Sequence, residues 1–118
     1  MSVPLHTLNC HIIVRTINLC NALDEKSVLR VRFDTDRGRI VSFMVQLECL
    51  FDAEWAPVVR YDTAHGFAHC DKMHPWEKAK KSRMITEDYN DALTYAMHDL
   101  ASRWQDYRRR YLKWKEQK

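Results

Sequence analysis

Residues 27–50 read SVLRVRFDTDRGRIVSFMVQLECL, and this stretch decides the fold. In its first part Leu29, Val31 and Phe33 alternate with Val28, Arg30 and Arg32, the period-two pattern of a strand with one face on a core and the other in water. In its second part, over 40–50, Val41, Phe43, Val45, Leu47 and Cys49 take one face while Ser42, Gln46 and Glu48 take the other. The loop Asp34 to Arg39 between them holds Asp36, Arg37 and Gly38, and glycine supplies the positive φ that a tight hairpin connection needs. Two amphipathic strands and a short turn make an antiparallel hairpin.

Towards the C-terminus the same logic repeats. Asp52 to Glu54 reads as a turn, after which Trp55, Pro57, Val59 and Tyr61 alternate with Ala56, Val58 and Arg60. Pro57 has no N–H for a ladder, so this strand lies at an edge or carries a bulge. Thr63 to Gly66 turns the chain, and Phe67 to Met73 returns as a short strand, extending the hairpin into a meander. Residues 76–83 carry Lys78, Lys80, Lys81 and Arg83 without periodicity and read as a loop. Thr86 is a suitable N-cap, with Glu87 and Asp88 in the first turn to match the positive end of a helix dipole. Tyr89, Leu93, Ala96, Leu100, Trp104, Tyr107, Tyr111 and Trp114 then recur at steps of three and four, the stripe of one long amphipathic helix. The fold class is α+β: an antiparallel β-meander of four to five strands packed in two layers against a C-terminal helix.

Towards the N-terminus, Asn21 to Lys26 reads as a turn. Before it, Leu8, Ile12, Thr16 and Leu19 fit helical spacing, yet the β-branched Ile12, Ile13, Val14, Thr16 and Ile17 favour a strand. The expectation is a single domain over residues 1–118, with its core in 26–114 and the stretch 1–25 open between strand and helix.

A chain of 118 residues suffices for one hydrophobic core without covalent staples. Cys10, Cys20, Cys49 and Cys70 have no CxxC spacing, which implies reduced thiols and a cytoplasmic setting. The start of the chain lacks a signal-peptide pattern, and no run approaches the roughly 20 apolar residues that span a bilayer, so a soluble, unprocessed protein without membrane contact is expected. Net charge is +3, but residues 103–118 hold seven basic side chains against Asp106 and Glu116. That local balance of +5 leaves −2 elsewhere, and it points the helix end at a polyanion, with a solvated helix face as the plain alternative.

The segment Trp55 to His74, WAPVVRYDTAHGFAHCDKMH, concentrates the chemically capable side chains. Metal-independent RNA cleavage needs a base for the 2′-hydroxyl, an acid for the leaving oxygen and a cation for the phosphorane charge. His65 and His69 fit the acid and base, Arg60 or Lys72 the cation, and Asp62 or Asp71 the carboxylate that fixes an imidazole tautomer. A hydrogen-bonded polar turn between two strands is the competing structural reading of the same residues. His65, His69, Cys70 and His74 also suggest zinc, but His69 and Cys70 as strand neighbours face opposite ways, so neither a metal nor another cofactor is expected. On the helix, Arg108, Arg109, Arg110 and Lys113 are candidate phosphate contacts, fanning outward from the aromatic stripe. Tyr111 and Trp114 can overhang so small a domain and meet a protein partner or a second copy.

Residues FMVQLECLFDAEWAPVVRYDTAHGFAHCD, with DYNDALTYAMHDLASRWQDYRRRYLKW after them, resemble a group of small, mostly uncharacterised bacterial and archaeal proteins with a VVRYDTAHGxxHxD core. That group is similar in turn to the TumE-like toxins of toxin–antitoxin pairs. The resemblance spans about residues 26–114 and matches the motif at Arg60, Asp62, His65, His69 and Asp71. It implies an α+β fold, a toxin role acting on nucleic acid, and an antitoxin protein and RNA as partners. The chain departs from the pattern at Cys70, where the resemblance implies a basic residue, and at HPWEKAKK, where it implies a glycine turn. Three functional classes follow: a nuclease-like toxin, a non-catalytic binding or inhibitor protein such as phages encode, and a structural or oligomerising module that dimerises through the helix.

Overall fold

The computed structural model describes residues 14–86 and 88–117. They form β1 Arg15–Asp24, β2 Ser27–Asp36, β3 Arg39–Phe51, β4 Glu54–Asp62, β5 His69–Lys72, β6 Lys80–Arg83 and α1 Tyr89–Glu116. The strands build one sheet in chain order, each antiparallel to the next. This is the α+β meander with a long C-terminal helix, carrying six strands rather than four or five.

From Ser27 to Asp34 the β2–β3 hairpin has the register its alternation demands. Phe33 faces Phe43, Val31 faces Val45 and Leu29 faces Leu47, so one set of side chains enters the core together. Leu29, Val31, Phe43, Val45, Leu47 and Cys49 are buried, whereas Val41, the extra residue of a bulge between Ser42 facing Asp34 and Ile40 facing Thr35, is exposed. The turn is shorter than the loop 34–39, because Arg37 and Gly38 alone leave the strands, at φ 55° and 80°. Two successive positive φ values make the primed turn whose twist matches that of the strands. Asp52 and Ala53, at φ 50° and 73°, close the β3–β4 hairpin in the same way.

Pro57 lies at a bulge in an interior strand, not at an edge. It faces Glu48, while Val59 faces Leu47, so Val58 is the extra residue. The bulge breaks the expected alternation: Val58 and Val59 are both buried, and Trp55 is exposed instead of sharing the buried face of Val59 and Tyr61.

Helix α1 starts later than Thr86 suggests. Asp88 is the N-cap, accepting from the N–H groups of Asn90 and Asp91, and Thr86 Oγ1, two residues before it, accepts from Asp88 N–H. A carboxylate at that position satisfies two unpaired amides and suits the dipole; Glu87 lies outside the described residues. The apolar stripe packs against the sheet along β3. Tyr89 meets Phe43 edge-on at 6.1 Å at one end, and Tyr111 stacks on Phe51 at 5.1 Å at the other. Ile40 N–H donates to Asn90 Oδ1 at 3.0 Å and ties the first turn of α1 to β3.

Other expectations need correction. Strand β1 runs through Asp24, so the turn read at 21–26 shrinks to Glu25 and Lys26, where Asp24 Oδ1 accepts from Lys26 N–H. The strand reading of 5–23 is met from Arg15 onward, and residues 5–13 lie outside the described residues. β5 covers only 69–72, since Phe67 and Ala68 belong to the preceding loop. The loop read at 76–83 ends in β6, whose four residues are all exposed. An outer strand with no buried face leaves no apolar alternation to find. Among the described residues, no helix is long and apolar enough to cross a membrane.

Candidate functional site

Pairing of β4 with β5 sets Asp62 opposite His69 and Arg60 opposite Asp71, on the sheet face away from α1. His69 and Asp71 are buried on that face, and the Asp62 side chain beside them is only 14% exposed. The loop 63–68 covers His69: Gly66, at φ 84°, lets the chain turn back, His65 stacks 5.5 Å from the His69 ring, and Phe67 packs beside it at 5.5 Å. Thr63 holds the loop down, its Oγ1 accepting from Phe43 N–H at 3.1 Å. Arg83 of β6 lies 4.6 Å over the Phe67 ring and caps the outside.

Both His69 nitrogens face oxygen acceptors. Nε2 lies 2.8 Å from Asp62 Oδ1 and 3.6 Å from Asp71 Oδ2, and Nδ1 lies 3.3 Å from the Phe67 carbonyl. A doubly protonated ring donates to both sides, whereas a neutral tautomer leaves one acceptor unserved. Asp71 also takes Lys81 Nζ at 3.3 Å. The sequence-derived cluster of Arg60, Asp62, His65, His69 and Asp71 therefore shares one face and one neighbourhood. Within it His69 has both nitrogens engaged, and His65 is the exposed imidazole.

The expected cations are redirected. Arg60 donates from Nε to Gln46 Oε1 at 2.6 Å, part of a chain through Glu48 to Arg30. Lys72 pairs in register with Val59 and so faces α1, opposite to the histidines. Lys81 and Arg83 stand where Lys72 was expected, and the sequence hid them inside what reads as a loop. Cys70 faces α1 as well, buried in the core, and burial pushes its thiol up to about 11. His69 and Cys70 thus point to opposite faces, His74 stacks on Trp114 at 4.7 Å, and among the described residues no three His, Cys, Asp or Glu side chains gather as metal ligands.

On the helix side lies a cluster that the sequence reading missed. Asp99 sits on the buried stripe of α1, where Oδ2 accepts the hydroxyls of both Tyr61 and Tyr107 at 2.7 Å and Oδ1 takes Arg103 at 3.3 Å. Burial, followed by these hydrogen bonds, raises both phenols above their usual range. The available signal was an acidic residue three positions after Ala96 on an otherwise apolar stripe. Tyr61, Tyr107, Cys70, Lys72 and Arg103 line a cleft of about 570 Å³ that opens between α1 and β6. The backbone of Arg103 leaves helical geometry beside it, at φ −120° and ψ 15°.

The basic C-terminal arginines do not all fan outward. Arg108 lies 5.4 Å over Phe51, and Arg110 lies 5.1 Å from both Tyr107 and Trp114, so two of the three lie back on aromatic rings. Arg109 pairs with Asp106 at 3.0 Å, and Lys113 is exposed. Nor does the aromatic end overhang: Tyr111 is covered by Phe51, and Trp114 by His74. Trp76 Nε1–H donates to the Trp114 carbonyl at 3.0 Å, which joins the basic segment 76–83 to the basic helix end. Lys80 then sits 4.9 Å over Trp114, and Lys115 sits 5.7 Å over Trp76. The sequence presents these two segments as unrelated.

Comparison with known proteins adds a family. The pattern of a domain of unknown function, DUF7718, matches residues 14–117. No curated protein and no solved structure matches the chain.

Proposed function

The chain belongs to the DUF7718 family, and for it we propose a nucleic-acid-binding role centred on the joined basic and aromatic surface of residues 76–83 and the last turns of α1. The observation that carries this reading is the Trp76–Trp114 hydrogen bond, because it brings Lys78, Lys80, Lys113 and Lys115 to one end of the molecule. Arg109 lies on the same helix end. Clustered cations bind phosphates by releasing condensed counterions, and an exposed indole offers a base a stacking surface. Trp76 is 46% exposed, with its N–H bound to the Trp114 carbonyl and the Lys115 ammonium 5.7 Å from its ring, so cation and aromatic surface lie together. Single-stranded nucleic acid fits best, with RNA the form expected of a toxin-like chain.

The test is binding of a labelled RNA oligonucleotide over a range of salt. Changing Lys80, Lys113 and Lys115 together to glutamine should lower the salt slope by about 2, at roughly 0.7 for each single-strand phosphate that is no longer neutralised. Changing Arg30 and Arg32 on the open sheet face should leave the slope as it is. Equal slopes for the lysine variant and the parent would return these lysines to a solvated face.

A second reading, the metal-independent ribonuclease of a toxin–antitoxin pair, is favoured by one observation: His65 is an exposed imidazole stacked over the buried His69 beside Asp62 and Asp71. His65 is then the group that exchanges protons with substrate, and His69 with its carboxylates holds it in place. Expression with and without a neighbouring antitoxin gene, followed through growth and RNA integrity, tests it. RNA that stays intact while growth is arrested would leave binding or inhibition of a protein target as the function.

A further inference from the structure

The two edges of the sheet are built differently. β6 has four residues, three of them basic, which is how an outer strand is protected from pairing with another chain. β1 has ten residues, and between Arg15 and Asp24 it reads TINLCNAL, with no charge, no proline and no glycine. Its register with β2 is regular from Arg15 to Ala22, and among the described residues nothing pairs with its outer side. Leu19 lies on the face that carries α1, in line with the buried Val31 and Val45, yet it is 50% exposed because the helix runs over β3 rather than β1. A long, uncharged edge with a half-exposed leucine is a template for another strand.

We infer that β1 is a self-association edge, pairing antiparallel with β1 of a second copy to form one continuous sheet across a two-fold axis. The end charges select this occupant. Antiparallel pairing brings Arg15 of each copy to the Asp24 end of the other, whereas parallel pairing would set like beside like. A two-fold axis perpendicular to the sheet keeps each face on its own side, so both helices lie on the same side. It also requires a residue to face itself or one an even number of positions away. With Leu19 on the axis, the two leucines cover each other, Ile17 faces Asn21 of the other copy, and Arg15 reaches the end of the other strand, at its Leu23 bulge next to Asp24. The basic surface at Trp76 and Trp114 belongs to other elements, so this association is independent of the nucleic-acid reading.

Sedimentation of the full chain at micromolar concentration should give twice the chain mass of 14.1 kDa. Leu19→Lys and Leu19→Glu should each sediment as monomers with melting temperatures of the fold retained, since like charges then meet on the axis. Mixing the two variants in equal amounts should restore the dimer, because lysine of one copy then faces glutamate of the other. A parent that stays monomeric at every concentration overturns the inference. A mixture that stays monomeric overturns it too, as does a Leu19→Lys protein that remains dimeric.

Discussion

The Tyr61 hydroxyl donates to Asp99 Oδ2 at 2.7 Å, joining an interior strand to the buried stripe of the helix. Tyr107 donates to the same oxygen, so one carboxylate serves two phenols inside the core. A buried charge held this way couples the sheet to α1 by direction as well as by apolar contact, because each donor must point at one atom. The cleft between α1 and β6 is built over this network, and Arg103 links it to solvent.

Removing the carboxylate leaves both phenols without an acceptor. Asp99→Ala should therefore lower stability by about 2–6 kcal/mol, on the basis of about 1–3 kcal/mol for each of the two buried hydroxyls left unpaired. Tyr61→Phe and Tyr107→Phe should each cost less than Asp99→Ala, and combined with it they should recover part of the loss. Chemical denaturation of the variants measures this, and purely additive losses would mean that the three groups do not act as a unit.

Alkaline pH should weaken the fold through the same groups. Tyr61, Tyr107 and Cys70 are all raised in the folded state, chiefly by burial. In an unfolded chain the thiol ionises near about 8.5 and the phenols near about 10. The stabilisation is complete below those unfolded values and is lost as pH rises towards the folded ones, so melting temperature should fall from about pH 9 upward. Tyr61→Phe should flatten that fall. Parallel curves for parent and variant would detach Tyr61 from the alkaline transition.

Phe43 tests the hairpin-to-helix core. It is 4% exposed, faces Phe33 across the hairpin and meets Tyr89 edge-on. Phe43→Ala should cost about 3–5 kcal/mol, the range for deleting a buried aromatic ring. Unchanged denaturation would contradict the packing described for β3.

The hairpin and the helix were legible because each buries one face, and burial imposes a period on the sequence. Phe33, Phe43 and Val45 reveal a strand by alternation, and Leu93, Ala96 and Leu100 reveal a helix by steps of three and four. β6 was illegible for the converse reason, since Lys80, Lys81, Ser82 and Arg83 bury nothing. Pro57 announced its bulge, but the facing of Val58 and Trp55 depended on which residue became the extra one. Within the site, the motif residues Asp62, His65, His69 and Asp71 came together because they flank a single turn. Asp99 interrupted an apolar stripe without naming its strand partner, and Trp76 gave no local signal of its role, because Tyr61 and Trp114 each lie 38 positions away in sequence.

His65 and His69 now separate the structural and catalytic readings of the turn. His69 is buried between Asp62, Asp71 and the Phe67 carbonyl, so His69→Gln should lose stability whatever the function, by about 1–3 kcal/mol as buried hydrogen-bonding groups lose their partner. His65 is exposed, and His65→Gln should change stability by less than about 0.5 kcal/mol, as surface substitutions do. If the turn is catalytic, His65→Gln should nevertheless lower RNA cleavage about 100-fold, the contribution of one general acid or base. Melting temperature and cleavage measured on the same preparations decide the matter. A His65→Gln protein that melts with the parent and cleaves with the parent would leave His69 and its carboxylates as the hydrogen-bonded frame of a turn.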